Sequence, residues 1–309
     1  MKKKSIITNN HNIKSVVFVW LIFFLLILTW GSSFILIKKG LTVFSSNEVG
    51  ALRTAISSLV LLPIVLIRFS SISLKQWKLL AILGVLNGVL PPFLFAEAQT
   101  GIDSHLAGVL NSLTPLLTLL VGLIFFRLKT KWFNVLGIII GFCGTIGLLS
   151  ISGGKSFEFN FSYGIYIIIA TTCYAISANI IKYLLNDVDA VSIAAFSFFI
   201  VGIPLIIYLL AFTDIVHQFN YDNNFCEGFI YIAILGVFGT AIALIAFNKL
   251  IKMTNVMFAT SITYLIPVVA LFWGIFDGES FGIINLLWIS VIIVGVLLVN
   301  SSSKKSTKK

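Results

Sequence analysis

Arg53 and Glu97 are the two ionisable residues that stand clearly inside long apolar stretches of this 309-residue sequence. A charged side chain at the centre of a membrane helix costs roughly 2.5 to 3.5 kcal/mol, so such residues usually face protein or water. At about 1.5 Å per residue, the two lie at a similar depth and could meet. One interpretation is a structural ion pair, or snorkelling to the interface. The other makes Glu97 a proton- or substrate-binding carboxylate and Arg53 its partner or an anion anchor.

Neutral polar and aromatic residues extend this candidate site. Buried amides need hydrogen-bond partners, and contacts between helices, worth about 0.6 kcal/mol on average, satisfy most of them in membrane bundles. As a set, however, they concentrate on the first, third and fourth helices of each half, which predicts a cavity. Trp30 and Tyr174 stand at matched positions and either pack in the core or stack on an aromatic or cationic substrate. The predicted substrate-binding residues are Trp30, Ser33, Arg53, Asn87, Glu97, Asn111, Tyr174, Asn179, Asn248 and Tyr264.

All six prolines fall within apolar stretches, where each removes a backbone hydrogen bond and frees a carbonyl group. Pro63 and Pro204 are expected to be fixed bends. The others are expected either to shape or gate the cavity, or to bend their helices without a further role. The predicted gating or helix-kink residues are Pro91, Pro92, Pro115 and Pro267.

Glycines at helical spacing predict that two helices approach each other closely. The fifth predicted span carries Gly137, Gly141, Gly144 and Gly147. This stripe is expected to be a packing surface, and a dimer face is the alternative.

The composition places all of these residues in a membrane protein. The sequence is 59% hydrophobic and 10% charged, with a mean hydropathy of +1.07, which is more apolar surface than one soluble core can bury. Because a span needs about 20 apolar residues, the sequence predicts an all-α integral membrane fold with ten transmembrane helices. The predicted spans are Val16–Ile37, Val49–Ile67, Trp77–Ala98, His105–Phe126, Trp132–Ile151, Tyr163–Leu184, Val191–Phe212, Gly228–Leu250, Val256–Phe276 and Gly282–Val299.

An internal repeat divides the ten spans into two units of five. The pentapeptide at Ala81–Val85 recurs unchanged at Ala233–Val237, and the same offset of 152 residues separates Pro115 from Pro267. An odd number of spans per unit makes the second unit enter the membrane in the opposite orientation, so the predicted architecture is two inverted five-helix repeats. The predicted domains are an N-terminal cytoplasmic tail (1–15), the first repeat (16–151), a linker (152–162), the second repeat (163–299) and a basic cytoplasmic C-terminal tail (300–309).

The distribution of charge predicts the orientation of the chain. The net charge is +10, and if the N-terminus is cytoplasmic, 17 of the 21 basic residues fall on the inner side. By the positive-inside rule, this predicts a multi-pass protein of the cytoplasmic (inner) cell membrane with both termini in the cytoplasm, and it excludes a nucleic-acid partner. The loop after the fourth span of each unit is basic in one copy and acidic in the other, as inversion requires. The residues concerned are Arg127, Lys129 and Lys131 in the first copy and Asp277 and Glu279 in the second.

Short motifs in a fixed order carry a resemblance to a known family. They are Trp30-Gly31-Ser32-Ser33-Phe34 followed by Lys38, then Arg53 after Ala51-Leu52, then Leu113-Thr114-Pro115, and finally Leu265-Ile266-Pro267 with Gly278-Glu279. Over nearly its whole length the chain resembles the drug/metabolite transporter superfamily and, within it, the EamA-type ten-helix transporters. The resemblance implies a central cavity lined by the first, third and fourth helices of each repeat. One departure is Arg127, which stands where family members often carry an acid, so that only Glu279 matches that feature.

The sequence shows no phosphate-binding loop, no metal-ligand cluster and no nucleophile with a plausible base. It therefore predicts no enzyme, no cofactor and no metal. The predicted function is secondary transport of a small metabolite by alternating access, and the resemblance implies export of an amino acid or a related compound. Multidrug efflux or metabolite uptake are the alternatives, and a channel or an intramembrane enzyme are alternatives of another class. The expected partners are the small-molecule substrate, membrane lipid and a possible coupling proton or ion, for a monomer or homodimer.

Overall fold

The computed structural model describes residues 3–69, 72–102, 104–152, 161–269, 273 and 283–300. Within these residues the regular structure is helical. The α-helices of the first half are α1 (Lys3–Gly31), α2 (Ser33–Gly40), α3 (Ser46–Arg68), α4 (Leu74–Leu83), α5 (Leu90–Ala98), α6 (Ser104–Asn111), α7 (Thr114–Phe125) and α8 (Trp132–Ser152). Those of the second half are α9 (Phe161–Tyr183), α10 (Ala190–Phe212), α11 (Ile215–Tyr221), α12 (Phe225–Gly236), α13 (Ala243–Met253), α14 (Val256–Thr260) and α15 (Ile283–Asn300).

Seven of the described helical segments have the length and apolar composition to cross a membrane. They are Val16–Gly40, Ser46–Arg68, Leu74–Ala98, Ala107–Phe125, Ser162–Tyr183, Ala190–Phe212 and Phe225–Met253. Three shorter apolar helices, at Trp132–Gly147, Val256–Val269 and Leu286–Val299, lie at the predicted fifth, ninth and tenth spans. The predicted class, an all-helical integral membrane protein, is confirmed, and the count of ten inverted spans stays a prediction.

Parts of the predicted organisation lie outside the described residues. These are Asp277 and Glu279 of the acidic loop, residues 153–160 of the linker and residues 301–309 of the C-terminal tail. At the other end of the chain, α1 already begins at Lys3, so this helix runs through most of the segment that was expected to be a tail.

The third span of each half contains a π-helix, at Gly84–Val89 in the first half and at Val237–Ile242 in the second. Each one begins within the last two residues of the repeated pentapeptide. A π-helix inserts an extra residue into a turn, shifts the register of the backbone hydrogen bonds and occurs frequently at functional sites. Its presence in both copies shows that the repeat extends to the backbone.

Pro91 and Pro92 stand in the first turn of α5, one residue after the end of the first π-helix. Because proline has no N–H group, the carbonyl groups of Asn87 and Gly88, four residues earlier, lose their usual helical partners. The Gly88 carbonyl instead accepts a hydrogen bond from Thr54 Oγ1 at 2.6 Å. A side chain of α3 thus satisfies the backbone at this bend, as is required inside a membrane.

The fourth span of each half is interrupted. In the first half α6 ends at Asn111 and α7 begins at Thr114, with Pro115 in the first turn of α7, where its missing N–H leaves no helical bond unmade. In the second half a 3₁₀ turn at Ser261–Tyr264 follows α14, and Pro267 comes three residues later. Both repeat-related prolines therefore stand just after a break in their span.

The two interruptions meet each other. Ser112 Oγ, in the break of the first half, donates a hydrogen bond of 3.0 Å to the carbonyl oxygen of Thr263 in the 3₁₀ turn of the second half. Backbone that leaves the α-helix within a membrane must find partners in protein or water. Here a side chain of the first half supplies the partner for a backbone carbonyl of the second half.

Equivalent helices of the two halves pack on each other, α3 against α10 and α8 against α15. The second pair uses the glycine stripe of the fifth span. A Cβ added to Gly295 would lie 2.5 Å from the backbone nitrogen of Gly141 and 2.7 Å from the carbonyl oxygen of Gly137, so the two backbones touch. The stripe is a packing surface within the chain, and α15 covers the face that was the alternative for a dimer.

Candidate functional site

A cavity of about 90 Å³ lies between the two halves of the chain. Since one water needs roughly 10 to 15 Å³ on the same measure, several waters fit inside it. Six of the ten predicted binding residues line it, namely Trp30, Ser33, Arg53, Asn87, Asn111 and Tyr174. The other lining residues are Phe34, Ile37, Phe95, Thr114, Phe198, Gly239, Thr240, Leu244, Phe247, Thr260, Thr263 and Ile266.

The irregular backbone segments described above form part of the cavity wall. The first π-helix contributes Asn87, and the second contributes Gly239 and Thr240. The two interrupted spans contribute residues on both sides of their breaks, among them Asn111 and Thr263. Non-helical backbone at membrane depth is tolerated where it is buried in protein or lines a cavity, and the position of these segments follows that rule.

Arg53 is the charged side chain among the lining residues. It lies on α3 with 8% of its surface exposed. Its Nε donates a hydrogen bond of 2.6 Å to Thr240 Oγ1, and the Thr240 hydroxyl in turn donates to the carbonyl oxygen of Leu235 at 3.0 Å. The second π-helix therefore fixes the orientation of the guanidinium group.

Glu97 does not meet Arg53 in the structure. Its Oε2 accepts a hydrogen bond of 2.5 Å from the hydroxyl of Ser46, which begins α3. Among the described residues, the ion pair within 4.0 Å joins Arg68 and Asp189. Glu97 is outside the cavity wall, and its contact ties the end of α5 to the start of α3, which agrees with a structural role for this carboxylate.

Two of the predicted asparagines take part in the wall through local contacts. Asn87 Nδ2 donates to Ser177 Oγ on α9 at 2.6 Å. The backbone carbonyl of Asn111 accepts from Thr114 Oγ1 at 2.6 Å, and its Oδ1 accepts from the same hydroxyl at 3.3 Å. The first contact joins the first π-helix to the second half, and the second closes the break in the fourth span.

Two aromatic pairs face the cavity, and the repeat relates them. Trp30 packs edge-on against Phe247 with ring centroids 5.0 Å apart, and Tyr174 stacks on Phe95 with centroids 6.1 Å apart. Trp30 and Tyr174 were already matched in sequence, at an offset of 144 residues, and Phe95 and Phe247 share the offset of 152 residues. Each pair joins the first span of one half to the third span of the other half. Sequence reasoning missed both phenylalanines, although the offset of 152 residues could have identified them.

Asn179 and Asn248 were predicted to bind substrate, but neither lines the cavity. Asn179 Nδ2 donates to the carbonyl oxygens of Thr118 and Ala175, at 3.1 and 2.9 Å. Asn248 Nδ2 donates to the carbonyl oxygen of Ala190 at 3.4 Å. Both side chains join helices by hydrogen bonds, because their rotational positions on the helices turn them toward a neighbouring helix.

Tyr264 also lies outside the cavity wall. It is fully buried, and its hydroxyl donates to the carbonyl oxygen of Ile138 on α8 at 2.9 Å. Its ring lies beside Gly141, where an added Cβ would come within 2.9 Å of the ring. The 3₁₀ turn directs this side chain toward α8, while Thr263, its neighbour, lines the cavity.

Comparison with known proteins gives a consistent result. The EamA-like transporter family matches the chain twice, at residues 17–150 and at residues 162–301. An uncharacterized transporter from Archaeoglobus fulgidus is 24% identical over 282 residues, which cover 91% of this chain and 98% of that protein. The uncharacterized inner membrane transporter YedA from Escherichia coli K12 is 28% identical over 283 residues, covering 89% of this chain and 88% of YedA. A crystal structure that is 18% identical in sequence superposes with a TM-score of 0.71 over 92% of this chain and 97% of the other, which shows a shared fold.

Proposed function

The chain belongs to the EamA-like transporter family, and we propose that it is a secondary transporter that carries a small metabolite by alternating access around the cavity between its two halves. In this proposal ten transmembrane helices form two inverted five-helix repeats, and rocking of one repeat against the other exposes the cavity to each side in turn. A gradient of substrate, ion or proton drives the cycle.

One observation carries this proposal: the two halves supply the same irregular backbone segments to a single cavity. A π-helix and an interrupted span from each half contribute to the wall, and the interruptions bond to each other through Ser112 and Thr263. Discontinuous helices near a repeat interface are typical of substrate sites in secondary transporters. Kinks at π-helices and prolines are also places where a helix can bend, so that Pro91, Pro92, Pro115 and Pro267 are proposed as its gating or hinge positions.

The membrane placement and the substrate extend the same proposal. The relative YedA is named an inner membrane transporter, and the basic residues of this chain favour a cytoplasmic location of both termini. The substrate that the sequence resemblance favours is an amino acid or a related compound, moved outward. Metabolite uptake and multidrug efflux are the rival assignments of direction and substrate.

Counterflow in proteoliposomes tests the proposal. Vesicles preloaded with a mixed amino-acid pool should accumulate a labelled amino acid from outside above its equilibrium level, because a carrier exchanges substrate across the membrane. Flux that only follows the gradient would indicate a channel, and a chemically altered product would indicate an enzyme. Either result would contradict the proposal.

In the same assay, two variants compare the contribution of a polar group in the cavity wall with that of a polar group outside it. Asn111→Leu removes a polar group of the cavity wall and should slow counterflow about tenfold, the effect of one or two lost hydrogen bonds. Glu97→Gln should stay within about twofold of wild type, because its hydrogen bond with Ser46 lies outside the wall and glutamine retains an acceptor. Loss of counterflow in Glu97→Gln alone would instead make this carboxylate the site of proton or substrate binding.

A further inference from the structure

We propose that the cavity binds a carboxylate ligand of net charge −1 that carries an apolar body, with the guanidinium group of Arg53 holding the carboxylate. The inference rests on the proposed function, because it names the substrate class of the same cavity. The cavity, the burial of one cation and the neutral character of its other walls carry it.

Arg53 is more than nine-tenths buried and lines the cavity. Its Nε is occupied by Thr240, and in the part of the chain that the structure describes no carboxylate lies within 4.0 Å of it. The two terminal amino groups of the guanidinium remain as donors at the wall. A buried charge is costly unless it is paired, so this group favours an anion that enters the cavity.

The geometry of the guanidinium group favours a planar anion. Arginine presents parallel N–H donors in a rigid plane, which match the two oxygens of a carboxylate. With Nε held by the second π-helix, the side of the fork that carries the two terminal amino groups is the one left for a ligand. The Thr240 contact therefore acts as a positioning contact, since it orients the donors without binding the ligand.

The other lining residues set the charge and the body of the ligand. Apart from Arg53 they are uncharged at neutral pH, so a ligand with one negative charge neutralises the described wall, whereas a dianion leaves one charge uncompensated. An ammonium group on the ligand would be repelled by the charge of Arg53 and would find no negative charge in the rest of the described wall. Within the proposed class of amino acids and related compounds, the site therefore favours an acid without an ammonium group over the corresponding amino acid.

Aromatic and aliphatic side chains form the remaining surface. The two aromatic pairs lie here, and Phe34, Phe198, Leu244 and Ile266 add apolar area. Ligand sites commonly combine such walls with a few polar groups that fix the orientation. A branched alkyl or aromatic body fits this surface chemically better than a polyhydroxylated one.

Binding to the purified full-length protein in detergent tests this assignment without relying on transport. The ligands are 3-phenylpropionate, phenylalanine, phenylalaninamide and 3-phenylpropanol, which share a body and differ in charge, together with 4-methylpentanoate and 4-methylpentanol. Isothermal titration should show each acid binding at least about tenfold more tightly than its alcohol, the effect of losing hydrogen bonds to a charged group. Phenylalanine should bind more weakly than 3-phenylpropionate. Equal binding of an acid and its alcohol, or no binding of either acid, overturns the proposal.

Variants locate the preference at Arg53. Arg53→Gln should lose the preference of acid over alcohol, and Arg53→Lys should retain part of it because lysine keeps the charge without the planar fork. Thr240→Val leaves the arginine in place and should weaken acid binding about threefold to tenfold by freeing its orientation. Arg68→Gln, which changes a basic residue outside the wall, is the control and should bind as wild type.

Folding and function remain separable in this design. Binding of the neutral alcohol to the Arg53→Gln protein shows that its cavity is intact. If the Arg53→Gln protein does not fold, Thr240→Val gives an independent test. An unchanged acid preference in a folded Arg53→Gln variant overturns the inference. If the acid preference is absent while counterflow of another substrate persists, the ligand class is wrong and the transporter stands. If the acids bind as expected and no substrate shows counterflow, the proposed transport function fails instead.

Discussion

The third spans of the two halves reach the same π-helical turn with different sequences around it. In the first half Pro91 and Pro92 follow the turn, whereas the second half has no proline there. The polar partners also differ, because Thr54 bonds to the carbonyl of Gly88 while Arg53 bonds to the side chain of Thr240. Proline is therefore not required for this turn. The repeat preserves the backbone, and the side chains that differ between the copies give the cavity its chemistry.

The same contrast applies to the aromatic pairs, and it leads to the largest expected effect on stability. Phe95 is 4% exposed and also packs against Phe34, with ring centroids 5.9 Å apart, whereas Phe247 is half-buried. Phe95→Ala should lower the free energy of unfolding by about 3 kcal/mol, and Phe247→Ala by about 1.5 kcal/mol. Unfolding by SDS in mixed micelles measures both. Equal losses would mean that the two pairs are equivalent in packing as well as in position.

The glycine of the repeated pentapeptide gives a matched pair of substitutions with the next largest effect. A Cβ at Gly84 would lie 2.4 Å from the backbone carbonyl oxygen of Ser197, whereas at Gly236 the nearest atoms belong to the side chain of Ile56, at 3.0 Å. Gly84→Ala should therefore destabilise the protein by about 2 kcal/mol, as overpacking does, and Gly236→Ala by less than about 1 kcal/mol. The same micelle unfolding assay compares them, and a larger loss in Gly236→Ala would contradict the packing described above.

Two tyrosines allow a comparison between a hydroxyl buried between helices and a hydroxyl of the cavity wall. The expected effect on the free energy of unfolding is smaller than for the glycines. Tyr264→Phe removes the bond to the Ile138 carbonyl and should cost about 0.6 to 1 kcal/mol of unfolding free energy. Tyr174→Phe should change it by less than about 0.5 kcal/mol, because the Tyr174 hydroxyl makes no hydrogen bond to the described residues. If Tyr174→Phe is the more destabilising of the two, its hydroxyl has a structural partner in the folded protein.

The smallest expected effect lies outside the spans, at the start of α10. Partial burial raises the pKa of the Asp189 carboxyl, but hydrogen bonds from Ser192 and the nearby Arg68 guanidinium outweigh it, so the pKa lies below its ordinary value. The resulting stabilisation is fully present above the unfolded pKa of about 3.9 and is lost as the pH falls through the lower folded value. Asp189 is the N-cap residue of α10, and Asp189→Ala should cost about 0.5 kcal/mol at pH 7, the lower end of the effect of losing an N-cap, and less at pH 3. A loss that is the same at both pH values would mean that the charge contributes nothing.

The sequence indicates the long apolar helices of the described residues, and the prolines that follow two breaks, for a physical reason. Backbone in lipid must satisfy its own hydrogen bonds, so spans appear as long apolar runs, and Pro115 and Pro267 show where a helix cannot continue. The π-helices could not be predicted in this way, because the second one contains no residue that forbids an α-helix.

The roles of individual polar residues were less predictable than their positions. Asn111 and Asn179 are both buried amides on apolar helices, yet one lines the cavity and the other bonds to α7. Which of these roles an amide takes depends on the rotation of its helix about its own axis, and helix packing sets that rotation. Similarly, the sequence predicts a similar membrane depth for Glu97 and Arg53, but their helices direct them to different partners.

Access to one cavity residue from the two sides of the membrane tests the central claim most directly. In a chain with Cys143, Cys173 and Cys226 replaced by alanine, Ser33→Cys places a thiol in the cavity wall, and Ser197→Cys, buried on α10 outside it, is the control. With protein of defined orientation in vesicles, a membrane-impermeant thiol reagent should label the Ser33→Cys protein from either side, and transported substrate should change the two rates in opposite directions. The control should stay unlabelled. Labelling of the Ser33→Cys protein from one side only, whatever the substrate gradient, would contradict alternating access through this cavity.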